Sequence, residues 1–210
     1  MVTIIDYGMG NLGSIYNMFE KKIRVNCEIT SDLDKIASAE KLLLPGVGAF
    51  DKAMERINQG GLKDVLDMKV LQEKTPVLGI CLGMQLLTNG SDEGNLPGLG
   101  WIDGYTHKFK FEKNQGFKVP HMGWNEVHRS QESLLTTGLN ELVTKPDRPR
   151  FYFVHSYYVK VKNESNSILK TKYGHEFDSA IQNDNIYGAQ FHPEKSHKFG
   201  IQLFKNFVEL

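Results

Sequence analysis

Hydrophobic residues in the first half of the chain alternate between short runs and helically spaced positions. The run Val2–Asp6 is typical of a strand. After the glycine-rich turn that follows it, apolar residues recur at the spacing of one helix face: Leu12, Ile15, Tyr16 and Phe19. Further strands are predicted around Cys27–Thr30, Lys41–Pro45 and Pro76–Ile80, with two amphipathic helical stretches between residues 50 and 73. Strands that alternate with helices predict a mostly parallel α/β sheet.

From about residue 100 the pattern changes to strand-like runs joined by polar turns. The predicted strands are Trp101–Ile102, Tyr105–Phe109, Gly123–Val127, Phe151–Val161, Ile168–Lys172, Ser179–Gln182 and Ile186–Phe191. This half is expected to be strand-rich and partly antiparallel. A closing helix is predicted to carry one apolar stripe: Ile201, Phe204, Phe207 and Val208. Since no repeat or long linker interrupts the chain, residues 1–210 are predicted to form one domain.

The amino-acid composition indicates which kinds of binding partner and which cellular compartment to expect. The 25 Lys and Arg residues balance 25 Asp and Glu residues, so neither nucleic acid nor an anionic membrane surface is expected as an electrostatic partner. Two cysteines cannot form a disulfide framework. The start of the chain lacks the pattern of a secretion signal, and no apolar stretch approaches the roughly 18 residues that span a membrane. We therefore expect a cytoplasmic protein.

A cysteine between glycines is the most informative local feature. Gly79-Ile80-Cys81-Leu82-Gly83 directly follows an apolar strand and directly precedes a helical segment, which is the layout of a nucleophile elbow. Glycines let the backbone turn sharply, and unpaired N–H groups at a helix start favour the reactive thiolate. The same pattern also fits a small core cysteine at a strand end. Cys27 lies in a plain apolar context and is interpreted as a core residue.

His192-Pro193-Glu194 offers the proton partner that a thiolate nucleophile needs. His192 follows a predicted buried strand, so it is expected at the same sheet edge as Cys81, where catalytic groups gather in open α/β sheets. Glu194 is close enough along the chain to orient the imidazole ring. For an isolated motif of this kind a solvated surface loop is the better explanation, but its coincidence with the elbow favours a catalytic pair.

Pro45-Gly46-Val47-Gly48 closes the predicted third strand with approachable backbone N–H groups, which suit an oxyanion hole. On its own this motif is a common tight turn. A metal site is not expected, because two cysteines without a C-x-x-C motif and scattered histidines match no zinc spacing. Gly8-Met9-Gly10 lacks the third glycine of a dinucleotide-binding motif.

Together these motifs resemble the signatures of the triad-type glutamine amidotransferases, in the same chain order. Gly79–Gln85 resembles the nucleophile signature, Pro45–Gly48 the oxyanion strand and Gln190–Ser196 the His/Glu signature. The resemblance implies a flavodoxin-like three-layer sandwich and hydrolysis of glutamine to glutamate and ammonia without a cofactor. The triad it implies is Cys81, His192 and Glu194. The glutamine-binding residues it implies, including the oxyanion N–H groups of Gly48 and Leu82, are Gly46, Gly48, Leu82, Gln85, Glu93, Ser156 and Tyr157.

Ile5–Leu12, Pro120–Asn125 and Tyr152–Tyr157 further resemble the HisH-type subunits of imidazole glycerol phosphate synthase. That resemblance implies a heterodimer with a HisF-type (β/α)8 barrel, which uses the ammonia to form imidazole glycerol phosphate and aminoimidazole carboxamide ribotide in histidine biosynthesis. It also implies low glutaminase activity in the chain alone, because the oxyanion strand would reorient only when the loaded partner is bound. The residues expected to face the barrel are His121, Met122, Trp124 and Asn125.

Three alternatives remain open at the level of the sequence. Asn11–Met18, Gly98–Ile102 and Ser196–Gly200 look closer to a paralogous branch that supplies ammonia to sugar-amidating enzymes of surface-polysaccharide synthesis, and the catalytic motifs are the same in both branches. An independent cysteine hydrolase could use Cys81 and His192 without any partner. A non-catalytic binding module is a third interpretation, but it has no physical need for an intact triad.

Overall fold

The structure is a computed structural model that describes residues 1–112, 114, 116–144 and 146–210. Its strands are β1 (Val2–Ile5), β2 (Cys27–Thr30), β3 (Leu42–Gly46), β4 (Val77–Cys81), β5 (Gly104–Lys108), β6 (His121–Glu126), β7 (His128–Arg129), β8 (Arg150–His155), β9 (Tyr157–Val161), β10 (Ser167–Tyr173), β11 (His175–Asn183) and β12 (Ile186–Ala189). Its α-helices are α1 (Leu12–Asn17), α2 (Leu33–Ala37), α3 (Phe50–Ile57), α4 (Leu62–Asp67), α5 (Leu82–Leu86) and α6 (His197–Glu209). Single π-helical turns extend α1 over Met18–Ile23 and α4 over Met68–Gln72.

The central sheet begins with parallel strands in the order β2-β1-β3-β4-β12, which is the flavodoxin-like order. Beyond β12 the sheet continues antiparallel through β11 and β10 to β7, and β9 pairs with both β11 and β5. Strands β6 and β8 form a separate antiparallel pair. The predictions of a mostly parallel α/β sheet and of antiparallel strands in the second half are therefore confirmed.

Neighbouring residues of the parallel strands pack on opposite faces of the sheet, because strand side chains alternate in direction. Ile4 of β1 joins the apolar cluster that includes Phe204 of α6 on one face. Ile5 joins the cluster that includes Phe50 and Met54 of α3 on the other. Both faces are covered, so the functional edge of the sheet is the row of carboxyl-terminal strand ends.

Two local predictions were wrong. Tyr16 is exposed, whereas Leu12, Ile15 and Phe19 pack in the core as predicted. Met18, the first residue of the π-helical turn that follows α1, is also buried. Trp101 and Ile102 form bends rather than a strand, and both backbone N–H groups donate to the Leu87 carbonyl.

The predicted strand Phe151–Val161 is divided at Ser156, and this division shapes the site described below. Before Ser156 the chain pairs with β6, and after it the chain pairs with β5 and β11, so the two halves belong to different sheets. Among the described helices, none has both the length and the apolar character needed to cross a membrane.

Candidate active site

Cys81 occupies a sharp turn between β4 and α5. Its backbone has φ +56° and ψ −110°, a conformation that costs a residue with a side chain about 1–3 kcal/mol and persists only where the surroundings enforce it. The first residue of α5 follows directly. This is the geometry of a nucleophile elbow, in which the turn lifts the reactive atom out of the sheet edge.

The glycines that flank Cys81 allow the elbow to pack backbone against backbone. A Cβ on Gly83 would lie 1.9 Å from the Leu44 carbonyl oxygen, and a Cβ on Gly79 would lie 2.6 Å from the Gly83 oxygen. Gly46, which is in register with Cys81 across β3 and β4, meets the same restriction, because its Cβ would lie 2.8 Å from the Gly83 nitrogen. The small residues therefore bring the end of β3 against the elbow.

His192 and Glu194 form a buried pair just past the end of β12. The His192 Nδ1 atom lies 2.8 Å from Glu194 Oε1, and the two side chains are only 4% and 1% exposed. The segment is anchored through Ser196, whose hydroxyl donates to the His192 carbonyl at 2.6 Å and accepts from the Tyr152 N–H at 3.0 Å. Glu194 thus fixes the ring orientation and leaves Nε2 for chemistry.

The environment of His192 favours its protonated form. Burial by itself lowers the pKa of His192, but the interactions with Cys81 and Glu194 outweigh burial and raise that pKa to about 10. An imidazolium beside a thiolate is the form that a Cys-His pair needs to attack an amide and then protonate the departing amine.

Glu194→Gln should move the alkaline limit of catalysis to lower pH. Removing the carboxylate charge is expected to lower the pKa of His192 by about one to three units, so the imidazolium loses its proton at a correspondingly lower pH. A pH profile of kcat measures this shift. The matched control is Glu176→Gln, because Glu176 lies 3.0 Å from the ring of His128. An unchanged alkaline limb in Glu194→Gln would contradict the assigned role of Glu194.

A pocket of about 400 Å³ opens at this edge of the sheet. The predicted site residues that line it are Gly48, Cys81, Leu82, Gln85, Glu93, Ser156, Tyr157 and His192. The other two predicted residues lie behind the lining. Gly46 packs against the elbow, and Glu194 contacts the imidazole ring of His192. The sequence prediction missed further lining residues: Val47, Pro120, Val154, His155 and Lys195. The fixed turn at Ser156, between two sheets, is what presents Ser156 and Tyr157 to the pocket.

Glu93 lies on the loop after α5, and its side chain lines the pocket. Its Oε2 accepts a hydrogen bond from the Phe50 N–H at 3.0 Å, at the start of α3. Burial raises the pKa of Glu93, the Phe50 N–H opposes the shift and nearby Asp51 adds to it. One carboxylate oxygen is therefore held by the protein, and the other can accept from a ligand.

Gln85 has its side-chain nitrogen committed to the protein. Its Nε2 donates to the Tyr157 carbonyl at 3.3 Å and to Gln190 Oε1 at 3.1 Å. A side-chain amide nitrogen carries two hydrogens, so both are used. The atom of Gln85 that remains for a ligand is the acceptor Oε1.

The segment predicted to hold an oxyanion is anchored at one end. The Tyr7 hydroxyl donates to the Pro45 carbonyl at 2.6 Å, and burial raises the pKa of Tyr7 further above its usual range. Gly48, at the other end, has φ +115°, and a Cβ there would lie 2.7 Å from Cε of Met9. The positive φ and the close methionine explain why a glycine stands at this position.

The residues predicted to face a partner divide into two groups. Met122 and Trp124 point outward from β6, at 62% and 43% exposure, and the Trp124 ring stacks on His197 with 5.4 Å between centroids. His121 is buried, and Asn125 is half-buried with its amide at 3.2 Å from His121 Nε2. Strand alternation accounts for the outward and inward positions.

His121 and His155 form a hydrogen-bonded pair of neutral rings beside the pocket. The His155 Nδ1 donates to the Tyr157 carbonyl at 2.7 Å, so its Nε2 accepts from His121 Nδ1 at 2.9 Å. Burial lowers the pKa of His155 to about 3 and that of His121 to about 4. Neither ring competes with His192 as an acid at neutral pH. Over the described ranges, no three His, Cys, Asp or Glu side chains form a group that could hold a metal ion.

Comparison with known proteins identifies relatives over nearly the whole chain. Residues 3–210 match the glutamine amidotransferase class-I family. The chain is 54% identical over 209 residues to imidazole glycerol phosphate synthase subunit HisH 2 of Methanococcus maripaludis, covering 100% of this chain and 99% of that protein. It is 49% identical over 210 residues to the protein of the same name from Pseudomonas aeruginosa, with 100% of each chain covered.

Solved structures with low sequence identity share the fold. A glutamine amidotransferase aligns with a TM-score of 0.70 at 14% identity, over 100% of this chain and 98% of that chain. A chain from the structure of PurLQS from Thermotoga maritima aligns with a TM-score of 0.67 at 16% identity, over 99% of this chain and 97% of that chain.

Proposed function

This chain belongs to the class-I glutamine amidotransferases, and from that membership we propose that it hydrolyses glutamine at the pocket around Cys81 and delivers the ammonia to a partner protein. The convergence of Cys81, His192 and Glu194 at one sheet edge carries this proposal. These residues lie at or just past the ends of β4 and β12, which are distant in sequence but pair side by side in the sheet. Residues 1–210 act as one glutaminase domain.

In the proposed reaction, Cys81 Sγ attacks the carbon of the glutamine side-chain amide. The backbone N–H groups of Gly48 and Leu82 hold the developing oxyanion. His192 gives its proton to the departing nitrogen, which leaves as ammonia, and a thioester remains on Cys81. His192 then takes a proton from water as the water attacks the thioester. Glutamate is released and the thiolate and imidazolium are restored.

The polar groups around the pocket match the two ends of glutamine. Glu93 offers its unengaged carboxylate oxygen to the α-ammonium group of the substrate. Gln85 offers Oε1 as an acceptor for the side-chain amide N–H, since its own nitrogen is occupied. Ser156 and Tyr157 form the facing wall, and Gly46 keeps the end of β3 against the elbow. In this proposal, the residues that bind glutamine come from segments that are separate in sequence and meet only in the folded chain.

The ammonia acceptor in this proposal is a HisF-type (β/α)8 cyclase barrel, so that the two chains form imidazole glycerol phosphate synthase in histidine biosynthesis. The support is the full-length identity of 54% and 49% to proteins named as HisH subunits of that enzyme. We place the reaction in the cytoplasm, since two free cysteines are typical of a protein in a reducing compartment.

The experiment that tests this function measures glutamate release from glutamine by the purified chain, first alone and then with a HisF-type barrel and its ribonucleotide substrate. Strong stimulation, with imidazole glycerol phosphate as product, is expected. A folded chain that hydrolyses glutamine but is not stimulated by the barrel would direct the next trial to a sugar-amidating partner. High activity with no partner at all would indicate an independent hydrolase.

Trp124→Ala should weaken binding of the barrel by about tenfold or more. Exposed tryptophans at the centre of an interface commonly contribute at this level, and Trp124 is held in position by its stack on His197. Titration calorimetry with the barrel measures the effect. Leu134→Ala serves as the control, because Leu134 is 71% exposed and lies outside β6 and β8. Equal affinities for both variants would move the docking surface away from β6.

A further inference from the structure

Gln190 is a fully buried polar residue that the proposed mechanism does not use. It follows the last residue of β12, and its own backbone N–H donates to the Ser179 carbonyl at 2.9 Å. Its side chain extends to the elbow, where Nε2 lies 3.8 Å from Cys81 Sγ. Burying an amide costs free energy unless its polar atoms are hydrogen-bonded, and Cys81 Sγ serves as an acceptor for the Gln190 amide nitrogen.

The hydrogen-bond network determines which end of the Gln190 amide faces the sulfur. Gln190 Oε1 accepts from Gln85 Nε2 at 3.1 Å, and Gln85 Nε2 also donates to the Tyr157 carbonyl. Reversing the Gln190 amide would place two N–H donors against each other at Gln85 and an oxygen acceptor against the sulfur. Only the observed orientation pairs donors with acceptors throughout.

We propose that the Gln190 side-chain amide is a further catalytic group, which donates a hydrogen bond to Cys81 Sγ and stabilises it as a thiolate. The proposal rests on the role of Cys81 as nucleophile given above. An amide N–H donates without giving up its proton, so it stabilises a negative sulfur while His192 is occupied with the leaving nitrogen or the attacking water. The same donor stabilises Sγ as a leaving group when the thioester breaks.

The other groups around Cys81 have different effects on the sulfur. The Val154 carbonyl lies 4.0 Å from Sγ and can accept only from the neutral thiol. His192 stabilises the thiolate by charge, while Tyr7 and His155 are neutral at pH 7 because burial raises the pKa of the first and lowers that of the second. The Val154 carbonyl thus favours the neutral thiol, and the uncharged amide of Gln190 opposes it by donating to the thiolate.

Gln190→Met tests the proposal, since methionine has a similar length and no donor. The readout is the rate of Cys81 alkylation by iodoacetamide against pH, followed by mass spectrometry of the Cys81 peptide in a Cys27→Ala background. Loss of one hydrogen bond to a charged group is expected to raise the midpoint of the alkylation profile by about one pH unit. At a pH below the midpoint, the thiolate fraction of Cys81 is then roughly tenfold lower. A midpoint equal to that of the parent would overturn the proposal.

Asn206→Leu is the matched control for removing a buried amide. Asn206 donates hydrogen bonds to the Leu135 and Thr137 carbonyls, and both acceptors lie outside β4 and α5. Asn206→Leu should therefore destabilise the fold and leave the alkylation midpoint unchanged. If the midpoint moved equally in both variants, the effect in Gln190→Met would be structural and the proposal would fail.

A measurement on the unmodified protein covers the case in which Gln190→Met does not fold. The side-chain ¹⁵N and ¹H resonances of Gln190 are expected to follow the ionisation of Cys81 in a pH titration and to lose that step in Cys81→Ala. Resonances without such a step in the unmodified chain would refute the hydrogen bond. Because iodoacetamide and the titration need no glutamine, these results are separate from those that test the proposed glutaminase function.

Discussion

Cys81→Ala should abolish the release of glutamate and ammonia from glutamine, by roughly 10⁴-fold or more. The reason is that no other described residue at the pocket supplies a nucleophile in the strained position that the elbow gives to residue 81. Steady-state glutamate release in the presence of the loaded partner measures the loss. Binding of the partner should be unchanged, since Cys81 is a buried residue at the pocket rather than part of the exposed surface of β6.

Cys27→Ala is the matched control for Cys81→Ala. Cys27 is also buried, at the start of β2, and burial together with Glu20 raises the pKa of its thiol to about 11. A thiol with so high a pKa is unreactive at neutral pH, so Cys27→Ala should keep full turnover with a small loss of stability. Substantial turnover in Cys81→Ala would refute the assignment of the nucleophile.

Gly48→Val should reduce kcat for glutamine hydrolysis by about 10² or more, the size typical of losing one oxyanion donor. Valine is strongly disfavoured at φ +115°, and its Cβ would lie 2.7 Å from Cε of Met9. The Gly48 peptide must rotate to relieve both conflicts, and its N–H then leaves the oxyanion position. Turnover with the partner bound measures the effect, while thermal unfolding monitors stability.

Gly60→Ala separates the loss of the donor from backbone strain in general. Gly60 also has a positive φ, of +65°, but an added Cβ there meets no atom within 4 Å. That substitution should lower stability slightly and leave kcat unchanged. If Gly48→Val also left kcat unchanged, the oxyanion hole would have to be formed by another segment.

Most of the fold could be predicted because the hydrophobic pattern is strong where the strands are parallel. The predicted strands Val2–Asp6 and Pro76–Ile80 agree within one or two residues with β1 and β4, since strands buried on both faces give continuous apolar runs. Tyr16 was wrongly predicted to be buried with the rest of its helix face. The burial of Met18 was not predicted, because a π-helical turn is not visible in an ideal helical repeat. The break at Ser156 was also missed, because two strands in different sheets can have one uninterrupted apolar pattern.

The candidate site could be predicted only as far as its motifs reach. Cys81 and His192 are predicted at one sheet edge because each follows a parallel strand. The inward position of His121 and the contact between Gln190 and Cys81 were not predicted, although strand alternation in Pro120–Asn125 is a signal for the former. The roles of the glutamine-binding and partner-facing residues remain predictions that the experiments above address.

The order of amino acids is enough to establish the chemistry available to this protein: a cysteine at a strand-to-helix elbow, a histidine with a carboxylate two residues away, and a glycine-rich strand end. Parallel strands place such ends at a common edge, and this rule is local enough to apply without coordinates. Which atoms meet at that edge depends on the folded chain. Glu93 is held at the pocket by a hydrogen bond from the Phe50 N–H. Gln190 contacts Cys81, from which it is separated by 109 positions along the chain. Such contacts depend on how distant segments pack, and packing direction is not encoded in any single stretch of residues.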